Sequence, residues 1–462
     1  MIARLALAFT AFAERWLPDA FVFALAATVI VFVAGLGVGV PAGTLVSAWG
    51  DGFPALLSFT MQMALVIVTG YVVASSRPVY RLICLLADRA PRSPRGAVAL
   101  VALFAMTSAW INWGFSLIFS AVLVKEIARR VRGVDYRALA ASSLLGLGSV
   151  WAQGLSGSAA LQMATPNALP DPVRAIIAHD GLIPNGLVDF SHTIFLWQSF
   201  ASVAVEIVVV TLVMWLAAPV GAAARDAQQL GIDLGPPLDH TDDLPPPRTP
   251  GERIEHSPLL VWLVVALGAA YLFRTLAGGV TSLTVNTINL AMLLIGMLLH
   301  GTPARLMRSV RAATPATWGV ILQFPFYAAI AGMISSTHLN ERIAHLFVSL
   351  SSKASFPALM AAYSAALGVF VPSGGSKWII EAPYVVKAAH ELQVHVGWVV
   401  ASYDLGEAIA NLVQPFWMLP VLALVGLRAR DVMGFTFLVF LVLLPIVLIL
   451  TTVLGATLPY PL

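Results

Sequence analysis

Asp404 and Glu407 stand three residues apart in ASYDLGEAIANLVQPFW (401–417), a stretch otherwise apolar or small, and Asn411 and Gln414 follow at helical spacing. Residues three or four apart share a helix face, so two acids and two amides would line one side of one segment. Carboxylates at the depth of an apolar segment are rare unless paired or functional. Glu407 has three open readings: it binds Na⁺, it carries a coupling proton, or it pairs with a buried base. Lys377 is the base at hand, in PSGGSKW (372–378), where Gly374 and Gly375 permit close backbone approach and Ser373 and Ser376 supply hydroxyls. Amides, hydroxyls and an ammonium together suit a small anion. Glu381, four residues after Lys377, competes for it, and a lysine reaching for the surface is the plainer alternative.

Two more polar interruptions lie earlier. Asn112, Gly114 and Ser116 fall in WINWGFS (110–116), whose tryptophans also suit an interfacial belt. Ser156, Ser158, Thr165 and Asn167 fall in GSVWAQGLSGSAALQMATPN (148–167), where close packing through small residues is the structural alternative. The substrate-binding set is thus Asn112, Gly114, Ser116, Ser156, Ser158, Ser373, Gly374, Gly375, Ser376 and Lys377. The ion-coupling set, for Na⁺ or H⁺, is Thr165, Asn167, Asp404, Glu407, Asn411 and Gln414. Apart from a sodium site no metal is expected, and no cofactor. Gly154-Leu155-Ser156-Gly157 also matches the G-x-S-G of intramembrane serine proteases, but a serine nucleophile needs a base. All nine histidines fall in loops or near segment ends, so an intramembrane hydrolase using Ser156 lacks that base. H-E-x-x-H and a P-loop are absent, which argues against a metalloprotease and an ATP-driven pump. Cys84 is the single cysteine, which excludes a disulfide framework and a cysteine metal cluster.

These residues need elements to hold them, and composition says where. With 59% hydrophobic and 11% charged residues among 462, the chain has too little polar surface for a soluble globule of this size. A crossing of the ~30 Å hydrocarbon core takes about 20 apolar residues. Such segments run approximately over 20–40, 53–75, 193–219, 258–273, 283–300, 315–335 and 432–452. The run Ala11-Phe12-Ala13 resembles a signal-peptidase site, but one basic residue before it and a full span after it favour an interfacial helix. The net charge of +3 reflects Lys and Arg clustered between apolar segments, a topology signal rather than a nucleic-acid face.

Placing those clusters in the cytoplasm leaves 41–52, 169–190, 277–282 and 459–462 outside, with the N-terminus cytoplasmic. The segment about 97–124 is bracketed by basic clusters on both sides, which one crossing cannot satisfy, and it is interrupted at Asn112. A re-entrant hairpin fits. The segment about 356–390 repeats the form around PSGGSKW, entering from the other side. Each hairpin is followed by a broken helix, about 138–168 and about 397–427. A Pro-rich and charged cytoplasmic linker, 221–257, separates the halves 1–220 and 258–462. The expected fold is an all-α polytopic membrane protein of inverted repeats, each with a re-entrant hairpin and a broken transmembrane helix, about nine spans plus two hairpins. Irregular backbone at membrane depth survives only beside protein or a polar cavity, so the breaks mark the site of a secondary transporter.

At PSGGSKWIIEAP, GEAIANLVQPFWMLPVLALVGL and NWGFSLIFSAVLVKEIAR the sequence resembles the bacterial short-chain fatty acid transporter family over nearly its whole length. The resemblance implies cation-coupled uptake of short-chain carboxylates such as acetoacetate or butyrate across the bacterial inner membrane, by an elevator-like carrier that is often a homodimer. Lys377, Glu381 and Asp404 depart from the family pattern, leaving open a retuned specificity for another small organic anion or a local salt bridge.

Overall fold

Long apolar segments must satisfy every backbone group internally, and the computed structural model does so with helices alone. Among the described residues (1–16, 20–166, 168–169, 171–235, 244–277, 285–336, 349–372 and 374–462) there is no strand. Asn167 and Ser373 lie outside the described residues, as does the Ser376 side chain. The amphipathic α1 (Ile2–Trp16) runs unbroken through Ala11–Ala13 and packs along the last helix; α2 (Ala20–Gly37) follows. Helices α3 (Ala42–Gly52) and α4 (Leu57–Ala74) are joined by the 3-10 turn Phe53–Leu56. The stretch 41–52, expected on the outside, is mostly helix: Leu45, Ala48 and Gly52, spaced at one helix face, bury against a helix of the second half.

Next come α5 (Arg77–Asp88), α6 (Pro94–Ile111) and α7 (Trp113–Arg130). The α6–α7 pair is the first hairpin, and its arms are longer than the apolar run alone indicates because Pro94–Gly96 and Lys125–Arg130 complete polar turns. Ser93 caps α6 by accepting from Gly96 N, and Asn112 caps α7 by accepting from Phe115 N at 2.9 Å. One residue thus ends one arm and starts the other. The first broken segment is α8 (Tyr136–Ser143), irregular backbone through 144–157, and α9 (Ser158–Ala164). Helices α10 (Asp171–Ala178) and α11 (Trp197–Ala217) complete the first half.

After the short α12 (Pro250–Glu255), the second half holds α13 (Leu259–Leu276), α14 (Val285–His300), the amphipathic α15 (Pro303–Ala313) and α16 (Trp318–Ser336). The second hairpin is α17 (Phe356–Gly368) and α18 (Gly374–Glu391), with Pro372 in the turn, where no amide is available to continue a helix. The second broken segment is α19 (Val396–Ala410), irregular backbone through 411–418, and α20 (Leu419–Val425); α21 (Ala429–Gly455) closes the chain. Gly426 ends α20 at φ +74, a left-handed conformation suited to glycine.

Among the described residues, five helical runs are long and apolar enough to cross a membrane: Ala42–Ala74, Pro94–Ile111, Trp197–Ala217, Pro303–Ile334 and Ala429–Gly455. Shorter apolar helices, among them Leu259–Thr275 and Asn286–His300, supply further candidates. The chain is an all-helical membrane protein in which hairpin and broken helix occur once per half. Helix α19, buried along its whole length, packs against α17, α9 and the first break, at the meeting of the two halves.

Candidate functional site

The two breaks and the two hairpin tips converge. At the first tip, Leu155 N donates to Trp110 O at 2.8 Å and Trp113 N donates to Ser156 Oγ at 3.1 Å, docking the first break on the hairpin. Gly154 makes this approach possible, since a Cβ there would lie 2.2 Å from Trp110 O. Between the two breaks, Asn411 Nδ2 donates to Leu147 O at 3.2 Å. Gln414 in turn donates to Asn411 Oδ1 at 2.7 Å and accepts from Phe416 N at 2.7 Å, so the two amides serve backbone groups freed by the break. Trp417 ties both tips together: its indole N–H donates to Pro372 O at 3.0 Å, and its ring meets Trp113 edge-on at 5.1 Å.

The acids and the lysine meet in one buried cluster. Lys377 Nζ forms an ion pair with Glu407, both nearly without exposure, and donates to Ser364 O at 3.1 Å. It also lies 5.6 Å from the Tyr403 ring centre, within cation–π range. Glu381 accepts from Tyr363 OH at 2.6 Å and Tyr403 OH at 3.0 Å. Asp404 Oδ2 accepts from Ala159 N, at the start of α9, at 3.0 Å, while Oδ1 is buried without a hydrogen-bond partner among the described residues. Gly374 closes the cluster from the second tip: a Cβ there would stand 3.3 Å from Asp404 Oδ1 and 3.5 Å from Ser158 Cβ. Gln162 Nε2 donates to Gly375 O at 3.0 Å, fastening α9 to that tip.

Sequence reasoning singled out residues that fall into two groups. Ser158, Gly374, Gly375, Lys377, Asp404 and Glu407 come together in the cluster, while Asn411 and Gln414 brace the adjoining break. Asn112, Gly114, Ser116 and Ser156 belong to the first tip. Gly114 packs beside Val66, Asn112 serves as a helix cap, and the Ser116 hydroxyl is spent on Ala105 O at 2.7 Å. Ser156 accepts from Trp113, and no histidine hydrogen-bonds it among the described residues. Thr165 donates to Leu161 O within its own helix.

Several participants were missed. Tyr363, Ser364 and Tyr403 escaped because aromatic and hydroxyl residues in an apolar arm look like packing; only the fold turns them toward Glu381 and Lys377. Glu206 is fully buried in α11 and accepts from Gln153 Nε2 at 2.7 Å and Ser202 Oγ at 2.9 Å. The signal was present: a lone acid in an apolar span.

The arrangement combines glycine-rich backbone at a helix start, buried carboxylates and a buried ammonium where a hairpin tip meets the helices beside both breaks. The family profile described as "Short chain fatty acid transporter" matches residues 1–454. A protein of Escherichia coli K12 with a provisional name as a short-chain fatty acid transporter is 39% identical over 437 residues, covering 94% of this chain and 96% of that protein. One from Haemophilus influenzae Rd, with the same provisional name, is 34% identical over 451 residues, covering 97% and 99%. Among solved structures, the Alcanivorax borkumensis YdaH transporter aligns over 95% of this chain and 98% of its own, with TM-score 0.42 and 15% identity. The chain therefore belongs to the short chain fatty acid transporter family.

Proposed function

We propose that the protein is a secondary active carrier that takes up short-chain monocarboxylates across the bacterial inner membrane, with its N-terminus in the cytoplasm, by cation-coupled, elevator-like alternating access. The observation that carries this reading is the meeting of the second tip with the helices flanking both breaks around Asp404, Glu407, Lys377 and Gly374, the first tip being joined to them through Ser156 and Trp417. The substrate carboxylate sits at the second tip, where the first amides of α18 point out of the helix and glycines leave room for close approach. Ser158 lies beside them. Asp404 and Glu407 are the two candidate acids for coupling a cation, and Asn411 and Gln414 brace the break that adjoins them.

An apolar cavity of about 200 Å³ adjoins the same tip, lined by Phe59, Tyr327, Val371, Pro372, Ile380 and Phe416 among others. It suits an alkyl tail of a few carbons and offers nothing to a second charged group, which favours monocarboxylates over dicarboxylates. The dimeric state common to elevator-like carriers is proposed with the mechanism.

The deciding experiment reconstitutes the protein in liposomes and follows labelled acetate, butyrate, acetoacetate and succinate while Na⁺ and pH gradients are imposed separately. Saturable accumulation of the monocarboxylates against their gradient, driven by one of the two, is expected. Flux that never exceeds equilibration would point to a channel, and preference for succinate would overturn the substrate class.

A further inference from the structure

Lys377 is an expensive residue where it stands. Burying an ammonium inside a membrane protein is unfavourable unless it is paired and hydrogen-bonded, and the surroundings of Nζ meet that demand closely. The Glu407 carboxylate pairs with it, Ser364 O accepts at 3.1 Å, Ser364 Oγ lies at 3.5 Å, and the Tyr403 ring faces it at 5.6 Å. The Ser364 carbonyl belongs to the turn before α17 ends at Gly368, so the negative end of that helix points toward the ammonium as well. Gly368 makes the space: a Cβ there would lie 2.7 Å from Glu407 Oε2 and 3.3 Å from Lys377 Nζ. A carboxylate, a carbonyl and a hydroxyl converging between three helices are hard oxygen donors, the set that alkali and alkaline-earth cations take in proteins and that transporters build at broken helices and helix C-terminal ends.

We propose that Lys377 is a tethered counter-cation: its ammonium permanently fills an oxygen-lined alkali-cation site between α17, α18 and α19, so that Glu407 recruits no free Na⁺. This rests on the carrier reading above and sharpens it, because it removes Glu407 from the groups at which a free ion is exchanged during transport. Asp404 Oδ1, buried and without a hydrogen-bond partner among the described residues, is then the carboxylate oxygen left to carry a coupling proton beside the substrate tip, and the wild type needs no free Na⁺.

The test replaces Lys377 and asks whether the vacated site acquires an alkali cation. Purified wild type, Lys377→Ser and the double variant Lys377→Ser/Glu407→Gln are compared in detergent by thermal unfolding, in NaCl and in choline chloride of equal ionic strength. The wild-type Tm is expected to be the same in both salts. Lys377→Ser should gain several degrees in Na⁺, saturably, or fold only when Na⁺ is present, and the double variant should lose that response because the unpaired carboxylate is gone. In liposomes, wild-type uptake of labelled butyrate at fixed pH should be equal in Na⁺ and choline, and Lys377→Ser uptake at least ten-fold higher in Na⁺. A saturable Na⁺ stabilisation of the wild type overturns the proposal. So does a Lys377→Ser protein that ignores Na⁺, or one that folds in neither salt while the double variant folds in both. If the wild type accumulates no short carboxylate under any gradient, the carrier reading fails, while the unfolding experiment still decides the role of Lys377.

Discussion

At the scale of single residues, the cluster shows how one side chain can serve two parts of the site. Trp417 belongs to the second break, yet its N–H reaches Pro372 of the second tip and its ring lies against Trp113 of the first. Trp417→Phe keeps most of the ring contact and removes the hydrogen bond, leaving the Pro372 carbonyl without its donor, a cost of about 1 kcal/mol. The loss should appear as faster amide exchange in residues 374–378, with the rest of α18 unchanged; uniform exchange in the two proteins would show that Trp417 does not hold the tip. What could be read from sequence at this scale followed rarity. Asp404, Glu407 and Lys377 stand out because ions are scarce in apolar segments, and the structure gathers all three. Glu206 obeys the same rule and was hidden only by the long apolar run around it. Tyr363, Ser364 and Tyr403 carry no comparable signal, because their role depends on which face of each helix turns inward. The pairing of Lys377 with Glu407 rather than with its helical neighbour Glu381 is likewise a matter of tertiary geometry. Spacing brought Glu381 within reach, but two tyrosine hydroxyls occupy it.

At the scale of elements, interruptions were legible and boundaries less so. Asn112 marks the first turn because it can cap the following helix with its own side chain, and Pro372 marks the second because it cannot donate. The arms of the first hairpin reach 94 and 130, beyond the apolar run 97–124, since polar residues at a helix end extend it at little cost once the ends reach the bilayer surface. Helix α3 went unread because its eleven residues look like a short polar connection and only packing on α16 reveals their buried face. Another cap makes a pH prediction. His395 precedes α19 and its Nδ1 accepts from Trp398 N at 3.0 Å, which requires that nitrogen to be unprotonated. Burial, reinforced by the neighbouring His192, pushes His395 down to about 4. An unfolded histidine titrates near 6.5, so the folded state binds fewer protons between the two values. This contribution is full above pH 6.5 and is lost as pH falls toward 4, roughly 3 kcal/mol in all. His395→Asn keeps a capping acceptor that does not titrate. Its Tm should therefore fall less steeply than that of the wild type between pH 7 and 4.5; parallel curves would remove the histidine from the acid response.

At the scale of the whole molecule, the sequence announced a duplicated plan because charge patterning and paired interruptions are long-range signals that survive ignorance of packing. It could not announce which surfaces slide, since that depends on contacts between halves. The structure offers a direct test of motion between the frame and the site. Helix α4 belongs to the spans outside the hairpins, α7 is an arm of the first hairpin, and they touch at Gly70 and Ile118. A Cβ at Gly70 would lie 3.3 Å from Ile118 Cβ, slightly inside the separation of about 3.5–4.5 Å that a disulfide prefers. Gly70→Cys with Ile118→Cys should therefore oxidise with only a small adjustment, and Cys84, the single native cysteine, can be replaced by alanine to prevent other pairings. Elevator-like transport moves the hairpins as a body against the frame, so the oxidised protein should bind labelled substrate yet lose net uptake, at least ten-fold, with recovery on reduction. The singly substituted controls should ignore the oxidant. Undiminished uptake by the fully oxidised protein would mean that α7 and α4 travel together, and the moving boundary would then have to run elsewhere, between α16 and the second hairpin.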